Sequence, residues 1–242
     1  MILDLDIGNT RIKWRLSEKP TGHILQAGVS ADLTGLSSIF VNVAKVDRVR
    51  IACVRREKMC EELTQWSQEL FCKDPEFARV TRQFAGLEVY YQDLTHLGVD
   101  RWLAMLAVRR VSSGSFVVVD CGTALTVDLV NDKGQHQGGY IVPGFGLCIT
   151  ALQEHTAIRL GDIPQNLETS PGHSTDHAVY NGVVTMLSAF IVNAAASPAT
   201  KVAVVYLTGG DRELLNRHLT EAGLQSSAVD GLVLDGLAAA LP

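Results

Sequence analysis

Apolar and polar positions alternate along the first thirty residues. Ile2, Leu3, Leu5 and Ile7 lead to a polar turn, after which Arg11 and Lys13 alternate with Ile12 and Trp14. Period-two alternation is the pattern of a half-buried strand. It predicts three strands of a meander at residues 2–7, 10–17 and 22–29, turning at Asp6-Ile7-Gly8-Asn9 and at Pro20-Thr21-Gly22. Ile39 to Asn42 and Val49 to Val54 read as buried strands. From Glu57 to Phe71 the period changes to that of a covering helix, with Leu63, Trp66 and Leu70 opposite Glu61, Glu62 and Gln65. A short strand near Phe77 to Thr81 continues an α/β rhythm. Residues 87–100 break the periodicity, and a helix is predicted from Asp100 through Val111. Ser112-Ser113-Gly114 ends that helix and links the two halves of the chain.

The second half begins with another meander: Phe116 to Asp120, Ala124 to Val130 and Gln135 to Val142, with a turn at Asn131-Asp132-Lys133-Gly134. Gly138-Gly139 weakens the third strand and admits a close neighbour. Pro143-Gly144 precedes an apolar helix from Phe145 to Thr156. That junction reads equally as a stop signal or as a helix N-terminus suited to an anion. Residues 157–173 form a long loop. Thr175 is the expected N-cap of a helix from Asp176 to Ala196, apolar on two faces and so either central in the fold or one side of a subunit interface. Lys201 to Leu207 is a strand, Thr208-Gly209-Gly210-Asp211 turns into a helix through Glu221, and Gln225 to Val229 and Leu232 to Ala240 close the domain.

The two meanders share a signature. Val117-Val118-Val119-Asp120-Cys121-Gly122-Thr123-Ala124 repeats the arrangement of Leu3-Asp4-Leu5-Asp6-Ile7-Gly8-Asn9-Thr10, with Asp6 matching Asp120, Gly8 matching Gly122 and Asn9 matching Thr123. One such turn is weak evidence; two, each closing a strand and half a chain apart, indicate an internal duplication into domains 1–113 and 114–242. Facing turns of this kind would rim a cleft with backbone N–H groups, hydroxyls and carboxylates, the combination that polyphosphate and Mg²⁺ require.

Composition narrows the field. The 242 residues suffice for two domains. Twenty-six acidic against twenty-one basic residues, net −5, argue against a nucleic-acid or anionic-membrane partner. The chain enters directly into a strand, so no signal peptide is expected, and no uncharged apolar run approaches membrane-spanning length. Five cysteines without C-x-x-C pairing fit reduced thiols in a cytoplasmic protein, with Cys121 a small filler rather than a nucleophile.

Several side chains carry two readings. Arg11 and Lys13 share one face of a strand, either solvated or turned back toward phosphates. Asp100 either caps its helix or faces the cleft as a general base, with Arg101 gripping an anion; adjacent positions do not share a helix face, so Arg101 need not neutralise Asp100. Gly209-Gly210 either packs against a flat nucleoside or makes an ordinary turn. His173 and His177 lack the spacing of a zinc motif and are read as ordinary polar residues.

Taken together, these segments resemble the type III pantothenate kinases, a bacterial branch of the superfamily of acetate kinase, sugar kinases, Hsp70 and actin. The resemblance runs through Asp6 to Lys13, Gly98-Val99-Asp100-Arg101, Asp120-Cys121-Gly122-Thr123-Ala124, Gly138 to Gly144 and Leu207 to Asp211. The second and fourth are the particular ones. It implies an α/β fold of duplicated ribonuclease H-like domains, the actin-like ATPase fold, with an interdomain active-site cleft. The implied reaction is ATP-dependent phosphorylation of the primary hydroxyl of pantothenate, the first step of coenzyme A synthesis, by a cytoplasmic homodimer.

By the same resemblance, Asp6, Ile7, Gly8, Asn9, Thr10, Arg11, Ile12 and Lys13 match the first phosphate-binding segment, with Gly122 and Thr123 in the second. Asp100 matches the general base. Tyr91, Gly98, Val99, Asp100, Arg101 and Thr175 match substrate contacts. Asp120 matches a ligand of a monovalent cation, K⁺ or NH₄⁺, and Asp6 is the candidate for Mg²⁺, directly or through water. The family is also related to proteins once described as helpers of a transcriptional regulator. Two rivals remain: another small-molecule kinase of the superfamily, and a non-catalytic nucleotide-binding accessory protein.

Overall fold

The computed structural model describes residues 1–19, 21–41, 43, 45–54, 57–198 and 204–242. The first meander forms as the alternation requires: β1 (Ile2–Ile7), β2 (Ile12–Ser17) and β3 (Ile24–Ser30) are antiparallel neighbours. After α1 (Leu33–Phe40), β4 (Arg48–Cys53) returns parallel to β1, and α2 (Glu57–Phe71) leads to β5 (Glu76–Phe77) beside β4. The sheet order is β3-β2-β1-β4-β5. The second sheet repeats it. Here β8 (Phe116–Cys121), β9 (Ala124–Val130) and β10 (Gln135–Pro143) form the meander. Parallel to β8 lies β11 (Val204–Thr208), followed by β12 (Ser226–Ala228). The order β12-β11-β8-β9-β10 is the first sheet's order strand for strand, extended past β10 by two short strands, β7 (Leu87–Val89) and β6 (Gln83–Phe84). The duplication read from two turns is thus a duplication of the sheet.

By contacts the chain divides into two units: Met1–Arg82, Tyr91–Ala107 and Leu232–Pro242 in one, Gln83–Tyr90 and Val108–Gly231 in the other. In the first unit, strand alternation sends Leu3, Leu5 and Ile7 to one face, where α1 and α2 cover them with Leu36, Phe40, Leu63 and Trp66. Trp14, Phe40, Phe71 and Trp66 meet edge to face in succession. The other face carries Asp4 and Asp6 and is covered by α7 (Leu232–Ala240), which packs on β1 and β4. Asp4 is fully buried and takes a bidentate contact from Arg50, at 2.7 and 3.0 Å. Arg50 also donates to the Leu241 carbonyl at 2.6 Å, and Arg15 bridges Asp4 to Asp235 and to the Leu234 carbonyl. The helix expected to close the second domain is therefore fastened to the first unit by buried charge.

In the second unit, Val117, Val119, Cys121, Leu125, Val127 and Leu129 form the core with α4 (Phe145–His155), α5 (Thr175–Ala195) and α6 (Arg212–Glu221). By length and composition α5 is apolar enough to cross a membrane, which corrects the expectation that no run approaches that length. Half of its most apolar window is buried in this unit, and that core accounts for its composition.

Other expectations change too. Ile39 lies in α1, not in a strand: Asp32 caps that helix by accepting from Gly35 N–H, and Leu36 and Phe40 share its buried face. Asn42, from the same expected strand, lies outside the described residues, as do Pro20 of the second turn and the first three residues of the strand expected from Lys201. The strand near Phe77 ends at Phe77 rather than Thr81. Within 87–100, read as irregular, lie β7 and a 3₁₀ turn at Leu94–His96. The cap of α5 is Ser174, whose hydroxyl accepts from His177 N–H at 3.2 Å; Thr175 is the first helical residue.

Candidate active site

The first turn is closed by a hydrogen bond from Gly8 N–H to the Arg11 carbonyl at 3.1 Å, which leaves Asn9 and Thr10 at an exposed tip. That closure sets the register that pairs Asp6 with Lys13 across β1 and β2. Lys13 accordingly turns back, its ammonium 3.9 Å from Asp6 Oδ2, while the Asp6 side chain itself is largely buried. Of the two cations, Lys13 reaches the Asp6 carboxylate and Arg11 is exposed. Ile7 and Ile12 point the other way and are core residues.

The second cluster stands at the start of α3 (Val99–Val111). The helix opens with Trp102 N–H donating to the Gly98 carbonyl at 3.2 Å. Asp100 lies in the first turn, where unpaired amides and the helix dipole favour a carboxylate; its Oδ1 accepts from Arg101 N–H at 2.8 Å. Asp100 thus sits inside the first turn, bonded to the next residue's amide, and it is still partly accessible. Arg101 leaves the helix on another face and is 7% exposed, with Nη1 donating to Tyr91 Oη at 3.2 Å and its guanidinium 6.0 Å from the Tyr91 ring centre. Arg82 Nη2 donates to the Tyr91 carbonyl and holds that segment. Val99 is buried. The structure therefore brings Tyr91, Gly98, Asp100 and Arg101 together in one unit.

In the second unit, the β8–β9 turn is clamped from both sides. Gly144 N–H donates to the Thr123 carbonyl at 2.9 Å, and Asp211 N–H to the Cys121 carbonyl at 3.1 Å. Asp120 is partly buried, and Gly209 lies against it: a β-carbon at 209 would sit 2.5 Å from Asp120 Oδ1 and 2.6 Å from the Cys121 carbonyl. Gly209 also has a φ of +90°, so backbone shape and close approach both require glycine there. Burial raises the Cys121 thiol far above its ordinary range, and the Asp120 and Asp211 carboxylates push it the same way. Cys121 is an inert filler. Burial also raises the Asp211 carboxyl. Asp211 was legible only as a helix start; the clue to its proximity was the clamp itself, a glycine pair joining the parallel strand beside β8.

Thr175 is exposed at the first turn of α5. The loop before it is strapped to the same helix: Tyr180 Oη donates to the Gly161 carbonyl, and Asn181 spans Glu168 N–H and the Ser170 carbonyl. Thr175 belongs to the second unit, and the other expected substrate contacts, Tyr91 and Gly98 to Arg101, belong to the first. Among the described residues no group of three or more His, Cys, Asp or Glu side chains is arranged to hold a metal ion. Mg²⁺ commonly takes one or two carboxylates together with phosphate oxygens and water, so a single buried carboxylate such as Asp6 fits that use.

A family profile described as type III pantothenate kinase matches residues 2–197. A Marinobacter nauticus protein named type III pantothenate kinase is 38% identical over 240 residues, spanning 98% of this chain and 96% of its own. Among solved structures, a Campylobacter jejuni protein provisionally assigned to a Baf family of transcriptional activators superposes with a TM-score of 0.67 at 21% identity, covering 99% of this chain and 96% of its own. A Sinorhizobium meliloti protein provisionally assigned as a 2-dehydro-3-deoxygalactonokinase gives 0.63 at 16% identity, covering 99% and 98%. At such identities the structural likeness speaks for the fold, that of the actin-like ATPases with their paired mixed sheets. The full-length match in sequence speaks for the activity, ATP-dependent phosphorylation of pantothenate at the entry to coenzyme A synthesis, and on that ground this chain belongs to the type III pantothenate kinase family.

Proposed function

We propose that Asp100 is the general base that accepts the proton of the pantothenate primary hydroxyl as it attacks the γ-phosphorus of ATP, and that Arg101 holds the pantothenate carboxylate. The observation that carries this reading is the start of α3, where a partly accessible carboxylate adjoins an arginine set against Tyr91. Phosphoryl transfer asks the protein mainly for alignment and for stabilisation of spreading charge. Proton transfer comes late, so a well-placed carboxylate suffices as base. The planar fork of Arg101 suits a carboxylate, and with Tyr91 packed on it little freedom is lost on binding. Gly98, Val99 and Thr175 complete the pantothenate contacts.

The amides of Gly8, Asn9, Thr10, Gly122 and Thr123, with Arg11 and Lys13, contact the ATP phosphates. Asp6 would hold Mg²⁺, directly or through water, and Asp120 a monovalent cation, K⁺ or NH₄⁺. The charge these ions supply would offset that of the phosphates. The working form is a cytoplasmic homodimer. An exposed side of α5 supports it: Ala178, Gly182, Thr185 and Met186 line a groove of about 520 Å³ whose other wall is the loop from Thr169 to Gly172, and Met186 is 52% exposed.

Steady-state kinetics with pantothenate, MgATP and K⁺ test the division of labour. Asp100→Ala lowers kcat on the order of 10²–10⁴-fold with little change in KM. Arg101→Lys raises KM for pantothenate more than it lowers kcat; an unchanged KM removes Arg101 from its role. A panel of sugars and acetate as acceptors separates this reading from another kinase of the superfamily.

A further inference from the structure

We propose that Gly98 is a positioning residue for Asp100: it leaves open, beside the start of α3, the volume that the Asp100 carboxylate occupies. The inference rests on the reading of Asp100 as the general base. A β-carbon built on Gly98 would lie 2.5 Å from Asp100 Oδ1 and 3.6 Å from its Cγ, and the next nearest atom is Arg101 Cδ at 3.8 Å. Carbon and oxygen do not approach so closely without contact repulsion. One atom is therefore too close, and it is the oxygen that accepts from Arg101 N–H. Backbone conformation does not call for glycine here, because Gly98 lies outside the left-handed region. What calls for it is the carboxylate.

The two residues form one device. Asp100 folds back over the helix start, and the amide of Arg101 holds its oxygen there. Alanine at 98 would be accommodated by rotating the Asp100 side chain, a flexible end, rather than by moving backbone. That rotation breaks the bond to Arg101 N–H and carries the carboxylate away from its resting place. Misplacement of a reacting group by about 1 Å costs on the order of 10²-fold in rate. The consequence falls on kcat, while Arg101 and Tyr91, whose contact lies on another face, keep their hold on substrate.

A double-mutant cycle tests this, with kcat, KM for pantothenate and Tm measured for wild type, Gly98→Ala, Asp100→Ala and the double variant. Residues that act through one contact are non-additive. Gly98→Ala is expected to lower kcat about 10- to 100-fold in the wild-type background with Tm little changed, and to lower kcat no further in the Asp100→Ala background, where no carboxylate remains to be displaced; any rise in KM from Gly98's own contact with pantothenate should be the same in both backgrounds. An undiminished kcat, a loss confined to KM, or an equal loss of kcat or Tm in both backgrounds overturns the proposal. Full kcat in Asp100→Ala alone would instead remove the base assignment beneath it.

Discussion

The two sheets share a strand order, and they differ in what they build at matching positions. Each first strand ends in a carboxylate one residue before its last, Asp6 on β1 and Asp120 on β8, and each turns into an antiparallel partner. Around Asp6 the turn is open: its tip is exposed, and Lys13 reaches across the hairpin. Around Asp120 the turn is small and clamped by Gly144 and Asp211 N–H groups, with Gly209 against the carboxylate. Two residues back, the first sheet has buried Asp4 where the second has buried Val118. The duplicated scaffold thus fixes where a carboxylate stands. Its neighbours differ: one sits beside the Lys13 ammonium and an exposed turn tip, the other in a turn held by two amide hydrogen bonds with Gly209 against it.

Changing the paired positions breaks or sharpens this contrast. The largest effect on stability is expected at Asp4. Asp4→Asn leaves Arg50 buried without its bidentate charge partner, while Arg15 keeps Asp235, and costs about 3–5 kcal/mol. Val118→Ala, at the matching position, loses apolar burial and leaves a small cavity, about 2 kcal/mol. Urea unfolding of both variants checks the ranking. Next comes the clamp. Gly209→Ala forces a side chain into a φ of +90° against backbone, costing about 1–3 kcal/mol. Differential scanning calorimetry should show a Tm drop of roughly 2–4 °C per kcal/mol for a chain of this size.

The smallest effect is at Asp211. Burial raises its carboxyl above the ordinary 3.8, so between that value and the folded one the native state keeps a proton that the unfolded state releases. Stability therefore falls as pH rises through the window, and the ionised group carries a small cost at neutral pH. Asp211→Asn, which breaks no side-chain cap bond, should raise Tm slightly at pH 7. The gain should shrink as pH is lowered toward the ordinary carboxylate range.

Much of this architecture was legible because its determinants are local. The alternation at 2–17 and 116–130 carries strand identity, and the period of Leu63, Trp66 and Leu70 carries α2 over its full Glu57–Phe71 length. The Lys13–Asp6 approach was also within reach, since closing the turn between Gly8 and Arg11 sets those two residues opposite each other. Where reading by pattern failed, the cause lay at a distance or in a single cap. Ile39 and Phe40 look like strand residues until Asp32 is seen to start a helix. The attachment of α7 to the first sheet depends on Arg15 and Arg50 meeting chain some 190 to 220 positions away. The dependence of Gly98 on the Asp100 carboxylate is a matter of ångströms that no spacing rule conveys.

The most direct test of the contrast between the two carboxylates is a cross-titration of kcat against Mg²⁺ and K⁺ in wild type, Asp6→Asn and Asp120→Asn. Asp6→Asn should lose roughly 10²–10³ in kcat and need more Mg²⁺ while keeping its K⁺ activation curve. Asp120→Asn should need at least about tenfold more K⁺ at an unchanged Mg²⁺ requirement. If both variants shift the same ion, or neither shifts either, the two turns do not hold different cations and the account is contradicted.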